Sequence, residues 1–499
     1  MKTFRHQLLY LLSLICLPIV SFGQVEQPDR LEIPFDEYKF DMNIMPLGDN
    51  GVLSYKETFE FNDKGDILWE FVKYDTLFNT SWTNKYYISS NYKYVGYHNE
   101  GTYFYILFTK GDYHNTHFKI LRLNNYNGEV LAYDDKFLVP LSLTEFKAME
   151  NAALLCGIVK ENPVVVLYNF ENKKSQVLPA IYQKNASFVS LDLEPEKGIF
   201  NVTLSHRLYG SKTTISIKTY SLKGELINNI SLKPTKGLNL ITGKMTSLSN
   251  GERFVTGTYS NYRFSEYSKG MFIAKLINGQ QEFIEYYPYT DLKNFFSYMK
   301  PKRQERIKEK INKRKMRGKE VKLTYRLYMH DIIPMKDRFI VIGEAYYPQY
   351  TQEYTTYGTV PVRHFEGYKY THAIVCGFDS QGNLLWDNSF GISDVLTPQL
   401  IELVNVKPSV GKVHLLYNSG TELITKVVNG YEVIEEKTKE KIKTNFSNDI
   451  VSRDNKFGWS EYWYNDYFIT WGTQDIRNYK DKNVDNNRKV FYLNKVKVQ

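Results

Sequence analysis

Short apolar stretches that alternate with polar residues recur along most of the chain, often in pairs joined by a turn that contains Gly. Alternation with a period of two is typical of β-strands, and Asn or Asp with Gly favours the positive φ angles of a tight hairpin. The clearest pair covers residues 374–386 and turns at Gly382, and another covers residues 59–69 and turns at Gly65. Further pairs turn at positions 128, 172, 224, 279 and 430. The pattern predicts a repeated antiparallel hairpin.

The spacing of these turns predicts the architecture. Most intervals are about 44 to 63 residues, enough for four short strands each, and such a period is typical of a β-propeller. Residues 490–496 look like the first strand of another hairpin, and residues 31–35 would supply its missing partner and close the ring. We therefore predict an all-β fold, a β-propeller of seven or eight four-stranded blades. Seven hairpins and the split one favour eight blades, and seven is the alternative because the weaker pairs are harder to count.

Two of the hairpins also carry a family resemblance. Asp-x-x-Gly-x-x-x-Trp at residues 379–386 and Asn-x-x-Gly-x-x-x-Trp at residues 62–69 resemble quinoprotein-like propeller repeats. As a whole, the chain is similar to exported propeller proteins of Gram-negative envelopes whose activities are uncharacterised. This resemblance implies the fold and carries no function.

The first 23 residues have the pattern of a signal peptide. Lys2 and Arg5 precede an apolar run over residues 8–20, and Gly23 supplies a small residue at the cleavage site. We expect residues 24–499 to form a single exported propeller domain, located in the periplasm, at the outer membrane or outside the cell. No later apolar run is long enough to span a membrane.

Composition narrows the fold class and the kinds of site that the protein can contain. The 41 Tyr and 30 Phe favour half-buried strands. Three Cys exclude a disulfide-stapled scaffold and a four-Cys zinc site. Cys156 and Cys376 each lie in an apolar run, which predicts two buried strand thiols.

The interval of 103 residues between the turns at positions 279 and 382 predicts an insertion, which we place at residues 289–370. Residues 293–322 carry a net charge of +10, while the whole chain carries +9. Pro301 and Gly318 suit the ends of a helix, so we predict a short basic helix that projects from one blade. A solvated charged helix is one interpretation, and contact with an acidic partner is the other. The candidate contact residues are Arg303, Arg306, Lys310, Lys313, Arg314, Lys315 and Arg317.

A Tyr-rich segment follows the basic helix, and residues 346–370 predict a long hairpin. Exposed tyrosines suit protein contacts and sugar stacking, although they would also serve to pack this hairpin on its blade. The candidate contact residues here are Tyr346, Tyr347, Tyr350, Tyr354 and Tyr357.

Motifs for catalysis are lacking in the sequence. It contains no zinc-protease helix, nucleophile-elbow serine, phosphate-binding glycine loop or dinucleotide fingerprint. Asp112, His114 and His117 form the only tight metal-like cluster, in a polar turn without further ligands. We expect no metal and no cofactor.

The leading hypothesis is a non-catalytic interaction scaffold of the cell envelope that contacts an acidic partner through the insertion. The partner would be an envelope protein or an anionic surface of lipid, lipopolysaccharide or glycan, and the export signal argues against nucleic acid. The alternative is a glycan-binding or glycan-active propeller, which an acidic, aromatic-lined central pocket would favour and a neutral, plugged pocket would count against. A quinone-type oxidoreductase ranks last, because the sequence supplies no calcium and cofactor pocket.

Overall fold

Eight antiparallel sheets follow one another along the chain and form the blades of a β-propeller. The computed structural model describes residues 25–35, 42–111, 117–149, 151–208, 212–248, 252–261, 266–319, 321–353, 362–454 and 458–498. The propeller prediction is confirmed, with eight blades. In each blade the first strand lies next to the central channel and the fourth lies outermost.

The strands are as follows. The chain starts with β1 (Val25–Glu26) and β2 (Arg30–Pro34). Blade 1 contains β3 (Met42–Pro46), β4 (Val52–Phe61), β5 (Asp66–Tyr74) and β6 (Thr80–Ser89). Blade 2 contains β7 (Tyr92–Asn99), β8 (Tyr103–Lys110), β9 (His117–Asn124) and β10 (Val130–Lys136). Blade 3 contains β11 (Ser142–Met149), β12 (Ala152–Val159), β13 (Asn162–Asn169) and β14 (Lys174–Val177). Blade 4 contains β15 (Ala186–Glu194), β16 (Ile199–Leu208), β17 (Lys212–Ser221) and β18 (Leu226–Ser231).

The second half of the ring includes two blades with interrupted strands. Blade 5 contains β19 (Asn239–Ser247), β20 (Arg253–Ser260), β21 (Gly270–Ile277) and β22 (Gln280–Pro288). Helix α1 (Pro301–Met316) follows it. Blade 6 contains β23 (Arg326–Met329), β24 (Ile333–Pro334), β25 (Arg338–Glu353), β26 (Val362–Asp379), β27 (Leu384–Gly391) and β28 (Leu396–Thr397). Blade 7 contains β29 (Asn405–Ser409), β30 (Lys412–Asn418), β31 (Glu422–Asn429) and β32 (Glu432–Lys441). Blade 8 contains β33 (Ile450–Asp454), β34 (Trp459–Tyr464), β35 (Tyr467–Arg477) and β36 (Asn487–Val498), together with β1 and β2.

The two chain ends close the ring in blade 8. Strand β36 pairs with β35 on one side and with β1 and β2 on the other, and Leu31 lies opposite Leu493. Polar side chains reinforce this closure, because the Arg488 guanidinium contacts both the Glu32 carboxylate at 3.0 Å and the Asp449 carboxylate at 2.5 Å. The predicted pairing between the chain termini is confirmed.

Six of the seven predicted turns connect the third and fourth strands of their blades. The turn at Gly65 is the exception, because it connects the second and third strands of blade 1. Both kinds of turn contain a glycine in a left-handed backbone conformation, since Gly65 and Gly382 adopt φ angles of +77° and +79°. The hairpin at residues 59–69 is therefore one strand out of phase with the others.

The core consists of apolar layers between neighbouring blades, and aromatic side chains fill much of it. Between blades 2 and 3, for example, Phe118 packs edge-on against Tyr168 with 5.4 Å between ring centroids. Cys156 and Cys376 are fully buried free thiols in β12 and β26, as predicted, and burial raises the pKa of each thiol well above its usual value.

Helix α1 is attached to the propeller more firmly than its sequence indicates. Backbone N–H groups of Lys293 and Asn294 donate to the Asp387 carboxylate on β27, at 2.9 and 2.6 Å. Ile311 is buried in the core layer between blades 5 and 6, and Ile307 packs against this layer. The side of the helix that carries Ile307 and Ile311 therefore packs against the blades. Phe295 and Phe296, which precede the helix, belong to the same apolar layer and enlarge the contact.

Residues 289–370 contain both inserted and blade-forming segments. Strands β23 and β24 form the first strand of blade 6, and residues 338–345 of β25 pair with residues 372–379 of β26 inside the blade. The extra material comprises residues 289–325, which include α1, and the extension of the β25–β26 hairpin.

Successive strands of a blade run in opposite directions, so their connections alternate between the two faces of the ring. Turns between second and third strands lie on the same face as the connections between blades. Helix α1 and the end of the β25–β26 hairpin therefore share this face, which we call the insertion face. Turns between first and second strands lie on the opposite face.

Candidate binding site in the central channel

The first strands line the central channel, and five of them share a local irregularity. A β-bulge interrupts the pairing of the first strand with the second in blades 2, 3, 4, 5 and 8. Bulges bend a strand and redirect its side chains. In four of these blades the position two residues beyond the bulge carries a titratable side chain, and these are His98, Lys147, Asp192 and Lys244.

One cavity of the channel, which we call the aromatic cavity, has a volume of about 540 Å³ and is formed by residues of blades 1, 2, 6, 7 and 8. It includes Leu400, Ile401 and Glu402 from the connection between blades 6 and 7, which places it toward the insertion face. Its aromatic and acidic lining residues are Tyr55, Tyr94, Tyr97, Tyr328, Trp459, Trp471, Glu402 and Glu461.

The aromatic side chains form two groups on the cavity wall. Trp459 and Trp471 stack with ring planes 10° apart and centroids 6.4 Å apart, and Trp459 is 41% exposed. On the blade 1 and blade 2 side, the Tyr55 and Tyr94 hydroxyls are 2.7 Å apart, and Tyr97 meets the Tyr55 ring edge-on. Each group presents flat apolar surface next to polar hydroxyl or indole groups, a combination that suits amphipathic ligands.

Two carboxyl groups, one from blade 8 and one from the connection between blades 6 and 7, lie in the lining of this cavity. Glu461 lies on β34, and no hydrogen bond from the described residues reaches its carboxyl group. Burial raises the pKa of Glu461 to about 7, and the charge of Glu402 adds to the rise. At neutral pH, Glu461 is therefore protonated in a large fraction of molecules, whereas the Glu402 side chain is 48% exposed and hydrated.

A buried pair supports the loop that carries Glu402. The Nε2 atom of His330 donates to Oε1 of the fully buried Glu344 at 2.7 Å. The same Glu344 oxygen accepts hydrogen bonds from the backbone N–H groups of Leu403 and Val404, at 2.9 and 2.7 Å. Burial alone would lower the pKa of His330, but the Glu344 carboxylate raises it above the ordinary value. Glu344 thereby ties blade 6 to the connection that leads into blade 7.

The second cavity, the charged cavity, also has a volume of about 540 Å³ and is lined by blades 2 to 6. Asn99, Glu100, Glu194 and Pro195 place it toward the face opposite the insertion face. Its charges are largely paired.

Charged side chains at the wall of the charged cavity contact neighbouring polar groups, and burial shifts the pKa values of two of its titratable side chains. Lys244 contacts Asp331 at 2.6 Å, and Lys147 donates to the backbone carbonyl of Leu191 at 2.6 Å. Asp192 accepts one hydrogen bond from Ser190, and burial raises the pKa of Asp192 to about 6. Burial lowers the pKa of His98 to about 4 with Lys147 nearby, so this imidazole is neutral at pH 7.

The residues predicted on the basic helix lie mostly in solvent. Of the seven, Arg314 is half-buried and the others are exposed. Lys313 pairs with Glu309 at 3.4 Å and Lys315 with Asp291 at 2.5 Å. Their role in binding a partner stays a prediction.

The predicted tyrosines of the long hairpin divide into packed and exposed residues. Tyr346 is half-buried and meets Tyr368 edge-on with 5.6 Å between centroids, while Tyr347 and Tyr350 are 44% and 52% exposed. Tyr354 and Tyr357 lie outside the described residues.

The residues of the aromatic cavity were not identified from the sequence. They come from five blades that are distant along the chain, and no local motif connects them. Identifying them requires the phase of every blade, because they come from first strands, second strands and the connection between blades 6 and 7.

The described part of the chain has no group of three or more His, Cys, Asp or Glu side chains arranged to hold a metal ion. Asp112 and His114 of the polar turn, like the predicted signal peptide at residues 1–23, lie outside the described ranges. Among described residues, no helix combines the length and apolar character needed to cross a membrane.

Comparison with known proteins finds similar solved structures but no matching sequence family. No protein-family model matches the chain, so the link to quinoprotein-like repeats stays a prediction. No curated protein matches its sequence. Among solved structures, the chain is similar to the β-propeller domain of the Trilobed protease from Pyrococcus furiosus, which has an open velcro topology. That match has 11% identity and a TM-score of 0.36, and covers 79% of this chain and 98% of the other.

Two enzymes are also among the similar solved structures. Polysaccharide lyase Uly1 matches with 8% identity and a TM-score of 0.37, over 80% of this chain and 88% of the other. Prolyl oligopeptidase B from Galerina marginata matches with 8% identity and a TM-score of 0.39, over 89% of this chain and 56% of the other. At these identities and TM-scores the likenesses carry no argument about function.

Proposed function

We propose that the protein binds a neutral oligosaccharide in the aromatic cavity. The observation that carries this proposal is the combination of Trp459, Trp471 and several tyrosines with the carboxyl groups of Glu402 and Glu461. Aromatic faces pack against the apolar C–H faces of sugar rings, and carboxyl groups accept hydrogen bonds from sugar hydroxyls. An acidic, aromatic-lined pocket in the channel favours the glycan hypothesis.

The size and charge of the aromatic cavity define the ligand further. Its volume of about 540 Å³ falls within the range of roughly 300–1,000 Å³ for small-molecule sites. Glu402 disfavours uronic acids and other anionic sugars by charge repulsion. The tyrosine hydroxyls stay protonated, because burial raises the pKa of Tyr94 and Tyr97 above their usual values. They therefore donate as well as accept hydrogen bonds.

Replacing Trp459 with Ala should weaken oligosaccharide binding about fivefold, since an exposed aromatic platform of this kind contributes on the order of 1 kcal/mol. Isothermal titration calorimetry with cellohexaose, laminarihexaose, xylohexaose and maltohexaose measures the dissociation constants. Tyr126→Ala is the matched control, because Tyr126 is 72% exposed in a turn of blade 2 away from the channel. If none of the sugars binds, or if Trp459→Ala binds as wild type does, the proposal is wrong.

A second candidate function is the interaction scaffold in the cell envelope. It is favoured by the exposed basic side chains of α1, which lie on the same face of the ring as the Tyr-rich hairpin. An acidic envelope protein or an anionic surface of lipid, lipopolysaccharide or glycan would bind there through charge attraction. On this interpretation the protein is exported and non-catalytic.

Reversing three charges on one side of α1, with Arg306→Glu, Lys310→Glu and Arg317→Glu, should abolish capture of this partner and leave the fold intact. Substitution is preferable to deleting residues 293–322, because a deletion removes the hydrogen bonds to Asp387 and the buried Ile311. Cross-linked affinity purification from intact envelopes measures the captured proteins. The control reverses Lys64, Lys223 and Lys482, three exposed lysines in turns of other blades. Equal recovery with both variants would contradict the scaffold role.

A further inference from the structure

The two carboxyl groups of the aromatic cavity differ in their surroundings. Glu461 is half-buried on β34 at the wall of the cavity and receives no hydrogen bond from the described residues. The Glu402 side chain is 48% exposed, and its Oε2 atom lies 3.8 Å from Nδ1 of His330. Burial favours the neutral form of Glu461, whereas solvent reaches the carboxyl group of Glu402 directly. Carboxyl groups that share a site but differ in this way suit opposite roles in proton transfer.

From this arrangement we infer that Glu461 and Glu402 are the catalytic pair of a glycoside hydrolase, with Glu461 as the general acid and Glu402 as the general base. The inference rests on the proposed function, because it places the glycosidic bond of a neutral oligosaccharide between the two carboxyl groups. The aromatic residues around the pair hold the sugar rings, and the exposed position of Glu402 gives water access to its carboxylate.

The reaction balances without a cofactor. The Glu461 carboxyl group gives its proton to the glycosidic oxygen as the bond from that oxygen to C1 breaks. A water molecule attacks C1, and its proton passes to the Glu402 carboxylate. The products are two shorter sugars, one with a new reducing end, and proton exchange with solvent restores both carboxyl groups.

The protonation of Glu461 sets the pH dependence. The titratable groups around it are Glu402 and the tyrosines of the cavity, Tyr55, Tyr94, Tyr97 and Tyr328. Burial raises the pKa of each tyrosine, in the case of Tyr328 to about 12, so they remain neutral near pH 7. Because burial holds the pKa of Glu461 near 7, the acid form is lost as the pH rises through that value, and hydrolysis should decline with it.

The test compares Glu461→Gln and Glu402→Gln with wild type, in the full mature chain. Release of reducing ends from the same four hexasaccharides should fall at least ~100-fold in both variants, the usual range for loss of a general acid or base. Sugar binding by Glu461→Gln should stay within about threefold of wild type, because the amide retains the shape of the carboxyl group. Glu129→Gln, an exposed substitution in blade 2, is the matched control.

A second readout separates acid catalysis from a structural role of Glu461. A 2,4-dinitrophenyl glycoside of the sugar that binds has a leaving group that needs no proton. Glu461→Gln should therefore hydrolyse it at a rate close to that of wild type, whereas Glu402→Gln should not. Wild type should also lose hexasaccharide hydrolysis as the pH rises through about 7.

The outcomes distinguish this inference from the proposed function. If the sugars bind to wild type but no reducing ends appear, the catalytic pair is wrong and sugar binding stands. If Glu461→Gln is equally impaired on both kinds of substrate, Glu461 is not the acid. If no sugar binds, the proposed function itself fails.

Discussion

A chain that starts at residue 36 should melt on the order of 5 °C below one that starts at residue 25, because it lacks β1 and β2. The deletion leaves the backbone of β36 unpaired along one edge and removes the apolar contacts of Leu31 and Ile33 with blade 8. It also removes Glu32, which leaves Arg488 with the Asp449 carboxylate as its remaining partner from the Glu32–Arg488–Asp449 group. Together these losses amount to on the order of 5 kcal/mol of unfolding free energy. Thermal unfolding followed by circular dichroism measures the difference.

A relinked chain provides the control for this deletion. Val25 lies opposite Val498, so residues 25–35 can follow Val498 through an Asn-Gly turn and form an ordinary hairpin in the same position. We expect this chain, with its N-terminus at residue 36, to recover most of the lost melting temperature. If the truncated chain melts within about 2 °C of the full one, ring closure contributes far less than the pairing indicates.

The closure could be predicted because it depends on local patterns at the two chain ends. Residues 490–496 and 31–35 each alternate apolar and polar positions, and a propeller requires such a pair. The phase of blade 1 could not be predicted in this way. Its second and third strands meet at Gly65 in a turn that resembles the other Gly turns, so the sequence pattern does not reveal which pair of strands it joins.

The packing of helix α1 against the blades could not be predicted from its local sequence pattern. Its start at Pro301 and the Gly318 turn after its last residue follow from residue chemistry. The burial of Ile311 does not, because it depends on Phe295, Phe296 and other residues of the core layer between blades 5 and 6. The sequence of the helix is that of an exposed, charged segment. Tertiary contacts determine that one side of it is buried.

The residues of the aromatic cavity are even harder to predict from local sequence patterns. Tyr97, Glu402 and Glu461 are more than 50 residues apart along the chain, and ring closure brings them together. The sequence predicted only the type of pocket that would favour glycan binding. Its residues follow from the order of the blades, which determines which strands and connections meet in the channel.

The second large effect is expected for Glu344→Ala, which should lower the unfolding free energy by about 3–5 kcal/mol, as is usual when one member of a buried pair is removed. The substitution leaves the backbone N–H groups of Leu403 and Val404 without their acceptor and leaves His330 without its carboxylate partner. Glu344→Gln should cost less, because its amide oxygen can accept the same hydrogen bonds. Chemical denaturation at pH 6 measures both variants against Glu402→Gln, which alters an exposed carboxyl group nearby.

The pH dependence of this effect has a defined sign. The Glu344 carboxylate raises the pKa of His330 in the folded protein, so their pairing stabilises the fold fully below the ordinary imidazole pKa of about 6.5. That stability is lost as the pH rises through the higher pKa of the folded state. The difference in melting temperature between wild type and Glu344→Gln should therefore shrink from pH 6 toward alkaline pH. A difference that grows with pH would show that the imidazole is neutral in the folded protein, and that hydrogen bonding without charge holds the wall of the aromatic cavity.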